Sequence, residues 1–173
     1  MRWTGMPVAM WGLFVKSFQK QLTVLGYDAD AAKEITRKAK PKYKEIIAKL
    51  PAFEKGDRFQ MNIVNCAMLA AFILCMPQRP NIKTLTDYYA AAMMTPTMKA
   101  FCRASGKKKF TPKDIEGMKA TAKLRAGDRN PYSWNMDFFE YEDGSGYEAR
   151  FTTCGICTLM QVLGLYDLTP ALC

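Results

Sequence analysis

Three of the six cysteines lie in the last twenty residues of this 173-residue chain, CGICTLMQVLGLYDLTPALC, at Cys154, Cys157 and Cys173. The thiolate is the form of cysteine that attacks carbon and binds metals, and a helix N-terminus lowers the thiol pKa. The residues YEARFTT before Cys154 are typical of a strand, and those after it are typical of a short helix. We therefore expect the first N–H groups of a helix to face the Cys154 thiol.

The spacing of these cysteines is compatible with three kinds of site. The cysteines could be small hydrophobic side chains buried in the core, ligands of a metal, or a nucleophilic or redox centre. Cys154 and Cys157 form C-x-x-C, which is half of a zinc pattern, but a second pair is absent. C-x-x-C at a helix N-terminus also suits redox chemistry, although the first half of the chain lacks the strand–helix–strand pattern of a thioredoxin fold. Spacing alone leaves the three readings open.

The chain contains no histidine. This absence excludes a Ser-His-Asp triad, a Cys-His dyad and a histidine-ligated metal within the chain. Catalysis must therefore use cysteine, carboxylates, tyrosine, lysine or backbone groups.

The composition indicates a folded protein. Apolar residues make up 49% and charged residues 24% of the chain, and the length suits a single domain spanning residues 1–173. Six cysteines are too few for a disulfide scaffold, so we expect free thiols and a reducing, cytoplasmic location. The longest apolar run, CAMLAAFILCMP, is shorter than the roughly 20 residues of a membrane span, and no membrane partner is expected.

The formal charge of +9 includes two lysine clusters, at residues 38–44 and 107–109. Such a charge can attract nucleic acids, acidic membranes or small anions. Neither cluster is interleaved with aromatic residues in the manner of a base-stacking surface. We interpret both as solvated surface and expect no nucleic-acid partner.

Residues 1 to about 128 carry the signals of a helical body of five or six helices. Pro7 begins the first helix and Gly26 ends it, and Asp28 or Asp30 caps the second, which Pro41 must kink or restart. The segment 62–76 is apolar nearly all round and predicts a central core helix. Further starts are predicted at about Thr84, at Thr95-Pro96 and at Thr111-Pro112.

Residues 132–173 have a different pattern. YSWNMDFFEY, EDGSG and YEARFTT predict a β-hairpin with a loop of three to five residues, followed by a short helix that Gly164 closes. The fold class is therefore α+β, with an N-terminal helical body, an antiparallel hairpin and a short C-terminal helix. Because an isolated hairpin is marginally stable, it must lie on the helices or gain a strand from beyond Cys173 or from another chain. Its open edge favours a homo-oligomer.

The C-terminal segment resembles the L-2-amino-thiazoline-4-carboxylic acid hydrolase family. In that family a strand leads into a cysteine, a glycine follows ten residues later, and a second cysteine follows nine beyond it, as at Cys154, Gly164 and Cys173. Leu168 and Pro170 also match, and SWNMDFFEYEDGSGYEARFTTC resembles the family's strand–turn–strand approach. The resemblance covers about forty residues and is loose over the rest of the chain.

The chain departs from the family pattern at three points. Gly155 stands where the family commonly has proline, and Cys157 has no counterpart. The family also has an Asp soon after its second cysteine, and later a strand and a third Cys-Asp, whereas this sequence stops at Cys173. The resemblance thus implies that the final strands and part of the site are missing.

The resemblance implies a thiol-dependent hydrolase, a bacterial-type metabolic enzyme that opens a small cyclic amidine to a carbamoyl amino acid. It implies Cys154 as nucleophile, Cys173 as a second thiol or proton carrier, and Arg150, Asp137 and Trp134 as substrate contacts, with no cofactor, while a metal requirement stays open. Two alternatives stay open. One is a non-catalytic, truncated relative that binds a small molecule, and the other is a thiolate metal-binding or redox protein.

Overall fold

The computed structural model describes residues 1–53, 57, 59–107 and 111–172. The fold is α+β, as the sequence predicted. The described elements, in chain order, are α1 (Met6–Val24), α2 (Ala29–Lys49), α3 (Phe59–Cys75), α4 (Ile82–Met93), α5 (Pro96–Ser105), α6 (Pro112–Arg125), β1 (Trp134–Glu140), β2 (Tyr147–Cys154), α7 (Gly155–Val162), a 3₁₀ helix (Tyr166–Leu168) and α8 (Thr169–Leu172).

The end of α1 follows the glycine signal in the sequence. Gly26 has a φ of 95°, and the Gly26 N–H donates to the Thr23 carbonyl while the Tyr27 N–H donates to the Leu22 carbonyl, both at 3.2 Å. This pair of hydrogen bonds is the Schellman motif, which satisfies the last carbonyls of a helix. The chain therefore turns directly into α2.

Helix α2 begins at a carboxylate cap and continues through its proline. The Asp28 side chain accepts hydrogen bonds from the N–H groups of Asp30 and Ala31, which decides between the two predicted caps in favour of Asp28. The helix does not restart at Pro41 but runs on to Lys49. Pro41 lies on the exposed side of the helix.

Helix α3 is the centre of the core, as its apolar pattern predicted. Every residue from Ile63 to Ile73 is buried. The Phe72 ring stacks on Phe18 of α1 at a centroid distance of 4.9 Å and on Trp11 at 5.9 Å. Side chains of α1, α2, α4 and α7 and of the 3₁₀ region surround α3 in one apolar cluster.

Helices α5 and α6 begin at the predicted caps, and α4 begins at Ile82, two residues before the predicted start at about Thr84. Asn81 caps α4 and Thr95 caps α5, and Thr111 forms a capping box with Asp114 at the start of α6. Helix α5 carries no buried residue.

The hairpin lies against the helical body. Strands β1 and β2 are antiparallel, and among the described residues they form a sheet of two strands. The Tyr141 N–H donates to the Gly146 carbonyl at 3.0 Å, which closes the turn over residues 142–145. Lys119 of α6 pairs with Glu140 of β1 at 3.0 Å. The hairpin is therefore supported by packing on the helices, which is one of the arrangements that the sequence predicted.

None of the helices in the described part of the chain combines the length and apolar character that crossing a membrane requires.

Candidate functional site

The strand-to-helix turn at Cys154 and Gly155 is the tightest point of the C-terminal region. Cys154 is the last residue of β2, and α7 begins at Gly155. A Cβ atom at Gly155 would lie 2.0 Å from the Tyr132 carbonyl oxygen and 2.8 Å from that of Ser133. These contacts leave no room for any side chain, including the proline that the family commonly has here. Glycine is thus required for this turn.

The Cys154 thiol lies beside the N-terminus of α7. The residue is half-buried, belongs to no disulfide, and its side chain does not cap the helix. The first N–H groups of an α-helix have no acceptor within the helix, and they form the positive end of its dipole. They can therefore stabilise a negative charge that develops beside Cys154.

Trp134 is the residue directly opposite Cys154 in the sheet register. Opposed residues of an antiparallel pair point to the same face, so the thiol and the indole share one face of the hairpin. The Trp134 ring packs against Phe59 of α3 at 5.5 Å and against Phe151 at 5.6 Å. This inner face of the hairpin therefore points toward the helices.

A cavity of about 380 Å³ lies between the inner face and the helices α3 and α6. The described lining residues have no carboxylate and no cationic group, and their side-chain polar atoms belong to one amide, one phenol and one indole. They are Phe59, Asn62, Met118, Trp134, Met136, Tyr147, Ala149 and Phe151. Such a lining suits an uncharged or aromatic group.

Asp137 and Arg150 lie on the other face of the hairpin. They oppose each other in the register, and both are exposed. The Arg150 Nε atom lies 2.6 Å from Glu148 Oε1, and its guanidinium lies 5.1 Å from the centroid of the Phe139 ring. The hydrogen bond to Glu148 raises the pKa of Arg150. The structure thus brings Trp134 to Cys154 but separates Asp137 and Arg150 from it.

The site as described does not include the other two thiols of the C-terminal segment. Cys157 is half-buried in the first turn of α7, and Cys173 lies outside the described residues. Within the described ranges, no three side chains of Cys, Asp or Glu converge as metal ligands.

The loop that contacts Gly155 is held by a buried cluster that the sequence analysis missed. Arg125 Nη1 lies 2.9 Å from Asp57 Oδ2 and 3.1 Å from Asp128 Oδ2. Asp128 Oδ1 accepts the Asn130 N–H at 2.8 Å, and Asn130 Oδ1 accepts the Tyr132 N–H at 3.0 Å. This chain of contacts positions the Tyr132 carbonyl over Gly155.

A local sequence signal for the tight turn did exist. Gly155 directly follows Cys154 at a predicted strand–helix junction, and glycine is the residue that permits a close approach of two backbone segments. The Arg125 cluster and the cavity had no comparable signal, because their residues come from distant parts of the chain.

The lysines of the 38–44 cluster lie on α2, where two of them pair with neighbouring carboxylates. Lys42 pairs with Glu45 at 2.9 Å and Lys38 with Glu34 at 3.4 Å. All four side chains of these pairs are substantially exposed to solvent. In the second cluster, residues 108–109 lie outside the described part of the chain.

No family model matches the chain, and comparisons with curated proteins and with solved structures found no match. The resemblance to the L-2-amino-thiazoline-4-carboxylic acid hydrolase family therefore stays a prediction.

Proposed function

We propose that this protein is a thiol-dependent hydrolase that opens a small cyclic amidine of the 2-aminothiazoline-4-carboxylate type, with Cys154 as its nucleophile. The observation that supports this most is the position of Cys154 at a glycine-dependent turn between β2 and the N-terminus of α7. A sharp turn of this kind presents a side chain to substrate and places N–H donors beside it.

The proposed reaction proceeds through a covalent intermediate. Cys154 Sγ forms a bond to the carbon between the ring nitrogen and the ring sulfur, and the C=N electron pair moves to nitrogen, which takes a proton. The ring C–N bond then breaks, and the nitrogen leaves as a protonated amine. Water attacks the same carbon, the C–Sγ bond breaks, and the S-carbamoyl product leaves. One water is consumed, and the thiolate is regenerated.

Trp134 is the substrate contact that this proposal keeps, because its ring shares a face with Cys154. Arg150 and Asp137 lie on the opposite face, so the proposal gives them no part in the attack. The N–H groups at the start of α7 stabilise the negative charge that develops during the attack.

The experiment is a comparison of two cysteine variants. We expect iodoacetamide to label Cys154 rapidly and to block ring opening, and we expect Cys154→Ser to abolish ring opening. Cys102→Ser is the matched control, because Cys102 is exposed on α5 and its loss should leave turnover unchanged. Slow labelling of Cys154 together with no ring opening by the wild-type protein would overturn the proposal.

The cavity favours a second candidate function, the binding of an uncharged aromatic small molecule without catalysis. Its described lining has no cation for a substrate carboxylate, and Trp134 forms one wall. We would follow the quenching of tryptophan fluorescence by small aromatic ligands in the wild-type protein and in Trp134→Phe. Saturable quenching that needs Trp134 and persists in Cys154→Ser, without turnover, favours this candidate over the hydrolase.

A further inference from the structure

The outer edge of β2 is open. Among the described residues, β1 is its one neighbouring strand. Phe151 is 61% exposed although its ring lines the cavity. An uncovered strand edge presents backbone groups that can pair with another strand.

The turn determines which backbone groups of β2 point outward. Tyr141 and Gly146 form a hydrogen-bonded pair, and such pairs alternate with non-hydrogen-bonded pairs along an antiparallel ladder. Glu148 and Arg150 therefore bond to β1 through their opposed residues, Phe139 and Asp137. The N–H and C=O groups of Ala149, between them, point away from β1 toward the open edge.

A second copy of β2 can pair with this edge about a two-fold axis in a small number of registers. The N–H and C=O groups that point outward from one copy must face those of the other copy. Near the centre of the strand, this condition allows the axis to pass through Glu148, Ala149 or Arg150. An axis at Glu148 places two carboxylates opposite each other, and one at Arg150 places two guanidiniums opposite each other. Like charges directly opposite are destabilising.

The register about Ala149 is complementary on both faces. It places Glu148 opposite Arg150 of the second copy, and Arg150 opposite the second copy's Glu148. It also places the Tyr147 ring opposite the exposed Phe151 of the second copy, on the inner face. Opposite charges and aromatic rings are the cross-strand pairs that stabilise antiparallel sheets.

We propose that the protein forms a homodimer in which two copies of β2 pair antiparallel about Ala149, giving one four-stranded sheet. Four strands lie within the common range for sheets, whereas a lone hairpin is marginal. The present Glu148–Arg150 ion pair joins two exposed side chains, so exchanging it for the contact between copies costs little. Phe151 of the second copy then lies beside Tyr147, which lines the cavity. The dimer does not depend on the proposed hydrolase activity.

The test uses charge reversal and its restoration. In sedimentation equilibrium, we expect a wild-type dimer whose dissociation constant rises about tenfold or more in Glu148→Arg and in Arg150→Glu. The double variant exchanges the two charges, and it should return to the wild-type value. Lys83→Glu is the control, because Lys83 forms an exposed ion pair with Asp87 on α4, and it should not change the dissociation constant.

Hydrogen exchange provides a second readout of the same register. We expect the Ala149 amide to gain protection as protein concentration rises, and to lose this dependence in Arg150→Glu. Ala149→Pro removes the outward N–H, which does not bond to β1, so this variant should be monomeric with unchanged helical circular dichroism. A wild-type monomer at roughly 100 µM, or a dimer that neither charge reversal weakens, would overturn the proposal.

Discussion

Arg125 and Asp57 form an ion pair that is almost completely buried, with Nη1 and Oδ2 separated by 2.9 Å and with 10% and 2% of their side chains exposed. The pair joins the end of α6 to the residue two places before α3. Through Asp128 and Asn130, the same guanidinium supports the loop that contacts Gly155. The ion pair therefore connects the helical body to the proposed site.

Arg125→Met should destabilise the fold strongly. Removing one partner of a buried pair leaves the other charge without compensation, which costs about 3–5 kcal/mol. The free energy of unfolding, measured in urea, tests this. Arg103→Met removes an exposed arginine from α5 and should change that free energy by less than about 0.5 kcal/mol. Equal stability of the two variants would contradict the assigned role of Arg125.

The fold should become less stable as pH decreases, because Asp128 becomes protonated. Burial acts to raise the pKa of this carboxyl, but the neighbouring Ser133 side chain, the Asn130 N–H and the Arg125 guanidinium outweigh it and lower the pKa. A lowered pKa stabilises the folded state above the unfolded-state value of about 3.9, and this contribution is lost as pH falls through the folded-state pKa.

We therefore expect Asp128→Asn to be less stable than the wild type at pH 7. The gap should narrow as pH falls below about 4, because the carboxyl then takes up a proton in the unfolded wild type and, at still lower pH, in the folded wild type as well. Denaturation midpoints for both proteins across this range measure the gap. A gap that stays constant with pH would mean that the charge of Asp128 does not contribute.

Gly155→Ala should be far more damaging than its chemistry suggests. The new methyl group would lie 2.0 Å from the Tyr132 carbonyl oxygen, so the backbone must move, at a cost of about 3 kcal/mol or more. The control is Gly117→Ala within α6, where no neighbouring group outside the helix's own backbone lies within 4 Å of the added Cβ. That change should stabilise the helix by about 0.5–1 kcal/mol. Opposite signs of the two changes in thermal unfolding are the expected result.

Phe72→Ala should remove the centre of the aromatic stack in the core. Phe72 is fully buried and contacts Phe18 and Trp11, so its truncation should cost about 3–5 kcal/mol. Phe101 is 63% exposed on α5, and Phe101→Ala should cost less than about 0.5 kcal/mol. The free energies of unfolding of both variants, measured in urea, test this difference. A similar small loss of stability in the two variants would contradict the central position of Phe72 in the core.

The elements of this fold were largely predictable because their signals are local. Asp28 and Thr95 mark helix starts through side chains that accept hydrogen bonds from N–H groups two or three residues on, and at Thr111 the backbone N–H donates to the Asp114 side chain. Gly26 and Gly164 mark helix ends through positive φ angles of 95° and 71°. Each signal depends on a few neighbouring residues and needs no knowledge of the tertiary structure.

The arrangement of the site was not predictable in the same way. Arg150 and Cys154 are four residues apart, which in a regular strand places them on the same face. The register shifts between Asn135 and Met136, and the extra residue in β2 places Arg150 on the outer face instead. The shift depends on how the two strands pair, and the Arg125–Asp57 pair depends on how distant segments meet. Neither leaves a pattern in a single stretch of sequence.

The closeness of Gly155 to the Tyr132 and Ser133 carbonyls also constrains how this gene can evolve. Every other amino acid carries a Cβ, so codon changes at position 155 are tolerated only if the 128–133 loop has already moved away. We expect any homologue with proline at this position to differ from this chain in the length or conformation of that loop. The loop and the residue after Cys154 must therefore change together during divergence.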